Sequence, residues 1–393
     1  MVKFDFKTYM KNYDLSSYDE KIRQIEYKLN NDSDMLDWFR LKINEEELKS
    51  IIDTSNYIKN NADVFIVIGI GGSFLGAKSV IDALSPYFSK DLEIIFAGTS
   101  LSSSYLKELI NYIKDKNVII NVISKSGTTL EPNIAFDVLY EELKKKYDES
   151  ELQKRIIITT DETEGHLREL VNEHNYKSFI VPKNMGGRYS VLSPVGLLPI
   201  SAAGIDIYKL LEGAKSVDIK NSFHYASLRN SLYNDGKIVE SFTVYEEKLL
   251  YFTEWLKQLF GETEGKEGKG ILPISLINTR DLHSLGQFLQ EGNKIIFETV
   301  INVINSDDIN LSKYPKSLNE LNNIAVNKVA LAHYEGETYS NIINIDSLTP
   351  YYIGYLIYFF EVAAATSAYL FDLYPFDQPG VSRYKELINE EIN

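Results

Sequence analysis

One pattern constrains this chain more than any other: a short, wholly apolar run, a tight polar turn, then an amphipathic helix, repeated. VFIVI at Val64–Ile68 is such a run, followed by glycines and a helical pattern at 77–84. Runs of the same kind fall at Glu93–Ala97, Val118–Ile123, 155–159 and 178–181, with helical patterns at 103–112, 132–147 and 164–171 between them. A strand that is apolar on both sides must be covered on both sides, and strands joined through helices lie parallel. A doubly wound parallel α/β sheet is therefore expected.

A second set follows on the same plan. Helices are expected at 205–214 and 223–233, a strand at 238–244, and a helix at 251–260 with Phe252, Trp255, Leu256 and Leu259 on one stripe. Strands are expected at 272–276, 294–300 and 342–345, with a helix at 318–332 between the last two and a long helix at 351–371. The expected partition is a helical segment over 1–45 anchored by Phe4, Phe6, Trp38 and Phe39, a first α/β domain over 46–198, a second over 199–375, and a C-terminal segment over 376–393.

Composition removes several function classes. Lysine plus arginine total 41 and aspartate plus glutamate 56 among 393 residues, a net charge of −15, which argues against general nucleic-acid binding. With no cysteine, disulfides, thiolate metal sites, iron–sulfur clusters and a cysteine nucleophile are excluded. The N-terminal stretch lacks an apolar core and a small-residue cleavage site, so no signal peptide is expected there and the expected compartment is the cytoplasm. Residues 351–371 would nearly span a bilayer, but Glu361 sits at the centre, where a charge costs a few kcal/mol. That segment is read as a buried core helix, so no membrane partner is expected. The five histidines are His166, His174, His224, His283 and His333, and no pair has metal-ligand spacing.

Chemistry concentrates at two strand-to-helix turns. GIGGSFLGAKS follows Val64–Ile68. A dinucleotide fingerprint would need glycine where Phe74 stands, and a P-loop would not have Ala77 between its glycine and Lys78-Ser79. What remains is a glycine turn that directs backbone N–H groups and the Ser73 hydroxyl toward an anion at a helix N-terminus, or a turn kept for packing alone. ISKSGTTLEP follows Val118–Ile123 and supplies Ser124, Ser126, Thr128 and Thr129, with Pro132 suited to a first helical turn. A helix cap needs one hydroxyl, not four. Both turns fall at the C-terminal edge of one sheet, where open α/β folds bind ligands, and together they point to a phosphate site.

The second half holds more scattered signals. Arg188 in GGRYS is either a surface turn arginine or a group placed over a developing oxyanion. Glu262 in GETEGK is either part of a solvated charged loop or a base emerging from the core behind Phe260. His283 in TRDLHSLGQ and Lys385 after the Pro379-Gly380 turn are individually weak.

Taken together, VIGIGGSFLGAKSVIDAL, INVISKSGTTLEPNIAF, VPKNMGGRYSVLSPVGLLPI, EWLKQLFGETEGKEGKGILP, DLHSLGQFLQEG, LIYFFE and PFDQPGV resemble the glucose-6-phosphate isomerase family, bacterial branch, in family order from about residue 60 to residue 385. The resemblance implies two sugar-isomerase (SIS) domains, a homodimer with the site shared between subunits, and interconversion of glucose 6-phosphate and fructose 6-phosphate without metal or organic cofactor. It implies that Gly72, Ser73, Ser124, Ser126 and Thr129 bind the substrate phosphate and that Gln378 lies on the substrate. Glu262 would move a proton between C1 and C2 through a cis-enediol. Arg188 would stabilise the enediolate, and His283, from the partner subunit, and Lys385 would assist at the ring oxygen.

The residue types suit that chemistry. One carboxylate suffices to take and return a proton on one face, burial near a phosphate dianion would favour its basicity, and a fixed guanidinium stabilises oxyanion charge. Two departures stand out: Ser382 where the family usually has glutamate, and a chain that stops at Asn393 where the family tends to continue. Two other activities could use the same fold. A regulatory sugar-phosphate sensor would have no reason to keep Glu262, Arg188 and His283 together. Mannose-phosphate isomerisation or amino-sugar-phosphate synthesis is a related activity, but the latter normally needs an ammonia-supplying domain.

Overall fold

The structure, a computed structural model, describes residues 2–88, 91–127 and 129–392, so Thr128 lies outside the described residues. The chain forms two compact units, Ser33–Leu211 and Met1–Asp32 with Glu212–Asn393.

The first element corrects the sequence reading. Residues 1–45 were expected to be helical, yet they open as strand β1 (Lys3–Tyr9), and only Asp19–Asn31 is an α-helix before Glu45. Phe4 and Phe6 stand two apart, the period of a strand, and both turn inward. Phe4 packs on Phe359 with ring centroids 5.0 Å apart, and Phe6 stacks on His224 at 5.6 Å.

In Ser33–Leu211 the strands are β2 (Val64–Ile68), β3 (Glu93–Ala97), β4 (Val118–Ile123), β5 (Ile156–Thr160) and β6 (Lys177–Ile180). They form one parallel sheet in the order β3-β2-β4-β5-β6. Every residue of β2, β4 and β5 is buried, as a sheet sandwiched between helices requires. On one face Val64, Ile66, Ile120, Val122 and Ile158 pack on Leu109, Phe136, Leu139 and Leu143 of the helices Ser103–Ile113 and Leu130–Lys144.

In the other unit β7 (Val239–Val244), β8 (Leu272–Ile277), β9 (Ile296–Val303) and β10 (Tyr339–Ile345) are mutually parallel in the order β10-β9-β7-β8. The plan repeats that of the first sheet: β7 lies between β8 and β9 as β2 lies between β3 and β4. The next position differs in kind. β1 pairs antiparallel with β10, with Lys3 opposite Asn344 and Asp5 opposite Ile342. The helix Pro350–Leu370 is long and apolar enough to cross a membrane, but it is almost wholly buried in the protein. Glu361 at its centre is buried as well, and burial holds its carboxyl well above the usual carboxylate range.

Candidate active site

The strand order of Ser33–Leu211 sets the place of the first residues. The chain leaves β2 toward β3 on one side and later returns to β4 on the other. The turns after β2 and β4 therefore flank the crevice where strand order reverses. After β2, Gly71 adopts φ 58° and opens the 3-10 turn Gly71–Ser73, which leads into the helix Leu75–Leu84. Ser73 is half-buried, and its hydroxyl has no hydrogen-bond partner among the described residues.

Gly72 explains why this turn lies where it does. A Cβ there would stand 1.9 Å from the Gly187 carbonyl oxygen and 2.9 Å from the Arg188 nitrogen. The missing side chain lets the backbone of the glycine turn lie directly on the backbone of the Gly187–Tyr189 turn. The structure thus joins two motifs that are far apart in sequence. Arg188 is 1% exposed, not a surface arginine. Its neighbour Tyr189 is stacked on Trp38 with centroids 4.6 Å apart, which fixes the turn against the core.

After β4 the loop is held partly by itself. Gly127, at φ 67°, donates its N–H to Ser124 Oγ at 3.1 Å, and Asn133 Nδ2 donates to the Gly127 carbonyl at 2.9 Å. Ser124 is buried with its hydroxyl accepting, so its own O–H remains to donate; Ser126 is exposed. Thr129 is the N-cap of Leu130–Lys144 but makes no side-chain cap bond, which leaves the hydroxyl outside the capping role. Pro132 lies in the first turn, as its fixed φ favours.

This loop also holds a residue the sequence reading passed over. Lys125 Nζ donates to the Lys183 carbonyl at 2.6 Å and the Met185 carbonyl at 3.4 Å, tying the hydroxyl loop to the segment that leads into Arg188. Desolvation lowers its pKa, with Asp161 opposing. The signal was a lysine between two serines in a loop proposed to bind an anion.

In the unit that contains β7 to β10, Glu262 lies in the last turn of the helix Leu250–Glu264. The stripe of Phe252, Trp255, Leu256 and Leu259 is fully buried, so the helix is docked along its length and Glu262 emerges half-buried at its end. Two amides meet its carboxylate. Gln258 Nε2, one turn earlier, donates to Oε1 at 3.0 Å, and Gln378 Nε2 donates to Oε2 at 2.8 Å. Lys266 secures the second contact: its Nζ donates to Asp377 Oδ1 at 2.6 Å and to the Tyr374 carbonyl. Sequence reasoning named Gln378 but not Gln258. A glutamine four residues before a proposed base was the available sign.

His283 closes the 3-10 turn Arg280–His283; it is exposed and makes no hydrogen bond among the described residues. Lys385 lies on the exposed helix Ser382–Ile392, also without a hydrogen bond or ion pair among the described residues. The other histidines are accounted for. His174 contacts Glu149 at 3.0 Å, His333 contacts buried Glu298 at 2.7 Å, His166 lies 3.8 Å from Glu169, and His224 is stacked on Phe6. Among the described residues no group of three or more His, Asp or Glu side chains could hold a metal ion.

The profile of the phosphoglucose isomerase family matches residues 40–392. The chain belongs to the phosphoglucose isomerase family. It is similar to the glucose-6-phosphate isomerase of Clostridium tetani, 44% identical over 97% of this chain and 92% of the relative. It is also similar to that of Alkaliphilus metalliredigens, 45% identical over 90% of this chain and 86% of the relative. Among solved structures it superposes on a hypothetical protein from Thermus thermophilus with TM-score 0.90 and 25% identity, each chain covered fully. It superposes on a glucose-6-phosphate isomerase from Chlamydia trachomatis with TM-score 0.83 and 22% identity, covering 96% of this chain and 84% of that one.

Proposed function

We propose that the chain interconverts glucose 6-phosphate and fructose 6-phosphate by ring opening and proton transfer through a cis-enediol. The observation that carries the reading is the carboxylate of Glu262, held at both oxygens by Gln258 and Gln378 at the end of a docked helix. A base that takes a proton from C2 and returns it to C1 must be fixed in direction, and an amide donating to each carboxylate oxygen sets that direction.

In this reading Arg188 stabilises the enediolate oxygen, and its burial makes that charge effective because little water screens it. Gly72, Ser73, Ser124, Ser126 and Thr129 bind the phosphate through hydroxyls and N–H groups, with the Lys125 ammonium adding charge beside them. His283 and Lys385 act at the ring oxygen, His283 from the partner subunit of a homodimer; its exposure supports that role, as does its making no hydrogen bond among the described residues. Gln378 both orients Glu262 and contacts the sugar. We assign one SIS domain to each compact unit, Ser33–Leu211 and Met1–Asp32 with Glu212–Asn393, in place of a boundary at 198/199 that would cut the helix Pro194–Ala202, and place the enzyme in the cytoplasm as part of glycolysis and gluconeogenesis. The test is a coupled assay of the purified protein with fructose 6-phosphate. Turnover supports the reading, and binding without turnover overturns it.

Lys125→Met supplies a sharper test of the phosphate loop. Loss of one charge-assisted contact is worth roughly 1.5 kcal/mol, so KM for fructose 6-phosphate is expected to rise about ten-fold while kcat changes little. An unchanged KM in initial-rate measurements would show that Lys125 only ties the loop.

A further inference from the structure

Two residues beyond Glu262 the same helix ends on a second carboxylate. At 100° per residue, positions 262 and 264 lie on nearly opposite sides of a helix. Glu264 accordingly faces the core and is fully buried. Arg229, on the helix Ile219–Asn234, meets it with both terminal nitrogens, Nη1 to Oε1 and Nη2 to Oε2, the latter at 3.3 Å. The same guanidinium donates from Nε to Glu240 Oε2 on β7 at 2.7 Å and from Nη1 to Ser367 Oγ at 2.6 Å. Glu240 in turn accepts from Tyr225 and from Thr299 on β9, the latter at 2.6 Å. The guanidinium lies over the Phe260 ring, 4.1 Å from its centroid. On the far side Gly270 closes the loop: a Cβ there would stand 2.7 Å from the Glu264 carbonyl oxygen.

The last turn of a helix is its least constrained part, because its final carbonyls have no partner within the helix. Here that turn is gripped from within by a charged pair rooted in a strand and two other helices. A buried ion pair is a poor way to gain stability, since desolvation offsets most of the attraction. It does fix a geometry, because a forked guanidinium accepts a carboxylate in few orientations.

We propose that the Arg229–Glu264 pair is a positioning device for the reaction: it sets the rotation of the terminal helical turn and thereby aims the Glu262 carboxylate at the substrate proton. This rests on the reading of Glu262 as the base. Glu240 is the control that the network itself provides. It binds the same guanidinium, yet it lies on β7 and not on the helix that bears Glu262.

The test compares Glu264→Gln with Glu240→Gln in the full chain, using fructose 6-phosphate. Each removes one charge from the same cluster and is expected to lower the melting temperature. For Glu264→Gln, kcat is expected to fall by at least about ten-fold with KM within two-fold, as misaiming a reacting group by a fraction of an ångström does. For Glu240→Gln, kcat is expected to stay within about three-fold, the smaller effect of a contact that does not touch the helix end. Equal losses of kcat in the two variants, or an unchanged kcat in a folded Glu264→Gln, overturn the proposal. Should Glu264→Gln fail to fold, Glu264→Asp keeps the charge but shortens the arm that meets Arg229; it is expected to show the same kcat-selective loss, and an unchanged kcat overturns the proposal. Glu262→Gln is measured alongside. If it retains turnover, the base assignment fails and the positioning role with it; if it alone abolishes turnover, only the positioning role fails.

Discussion

Glu262→Gln is expected to lower kcat for fructose 6-phosphate by about 10³-fold while KM changes less than about three-fold, the scale of a lost general base. The substitution keeps size and planarity. What it removes is the ability to accept a proton, and it also turns one of the two facing contacts into an amide N–H opposite another amide N–H. Gln258 and Gln378 donate to different oxygens, so no orientation of the new amide satisfies both. A modest local rearrangement therefore accompanies the chemical loss, and the melting temperature is expected to stay near that of the parent because the position is half-exposed. The check is steady-state kinetics together with exchange of the substrate C1 and C2 hydrogens with deuterated water. Both should collapse together. Retained exchange with lost turnover would place the base elsewhere.

Gly72→Ala is expected to damage both stability and turnover. The added Cβ would lie 1.9 Å from the Gly187 oxygen and 2.2 Å from its carbon, against an ordinary contact of about 3.4 Å, so the two backbones must part by about 3.4 − 1.9 = 1.5 Å. Both partners are backbone, and neither can swing aside as a side chain would. Overpacking of this kind costs roughly 1–3 kcal/mol, which in a domain of this size lowers the melting temperature by about 3–10 °C. The separation also moves the Ser73 turn away from the Arg188 turn, and kcat/KM is expected to drop about 10²-fold. Gly186→Ala is the control, because a Cβ there meets its nearest neighbours at an ordinary 3.7 Å. If Gly72→Ala and Gly186→Ala behave alike in calorimetry and in rate, the close approach has no functional weight.

These residues also show what a sequence can carry. The strands β2, β4, β5 and β9 are continuous buried runs, and such runs are legible because both faces of a parallel sheet need the same chemistry. β1 was misread because its strand period rests on two phenylalanines among charged residues, too short a signal to outweigh the helical look of the polar residues after it. The helix Pro194–Ala202 was missed for a different reason: it is buried on all sides, so it has no polar face to give a 3.6-residue period, and it carries Pro194 and Pro199. The motif residues Ser73, Arg188 and Glu262 were visible through their neighbours. Gln258 and Lys125 were not, because a single glutamine or lysine on a helix or loop takes its meaning from what stands opposite it. The contact of Gly72 with Gly187 links positions more than a hundred residues apart, and no local pattern encodes it.

The antiparallel edge strand has a consequence for the order in which the molecule is made. Ser33–Leu211 is continuous in sequence, so all five strands of its sheet have left the ribosome before the second sheet has more than its N-terminal edge. That edge, β1, is synthesised ahead of every other strand and is opposed by β10, whose last residue is Ile345. During translation β1 must therefore wait, with strand N–H and C=O groups unpaired, for all the other strands to emerge. Vectorial synthesis favours a unit that is contiguous and closes at once. The two halves share one strand order, yet they differ in when each can be completed: the half bearing the glycine and hydroxyl turns can be complete early, while the half bearing Glu262 is finished by the joining of its first strand to its last.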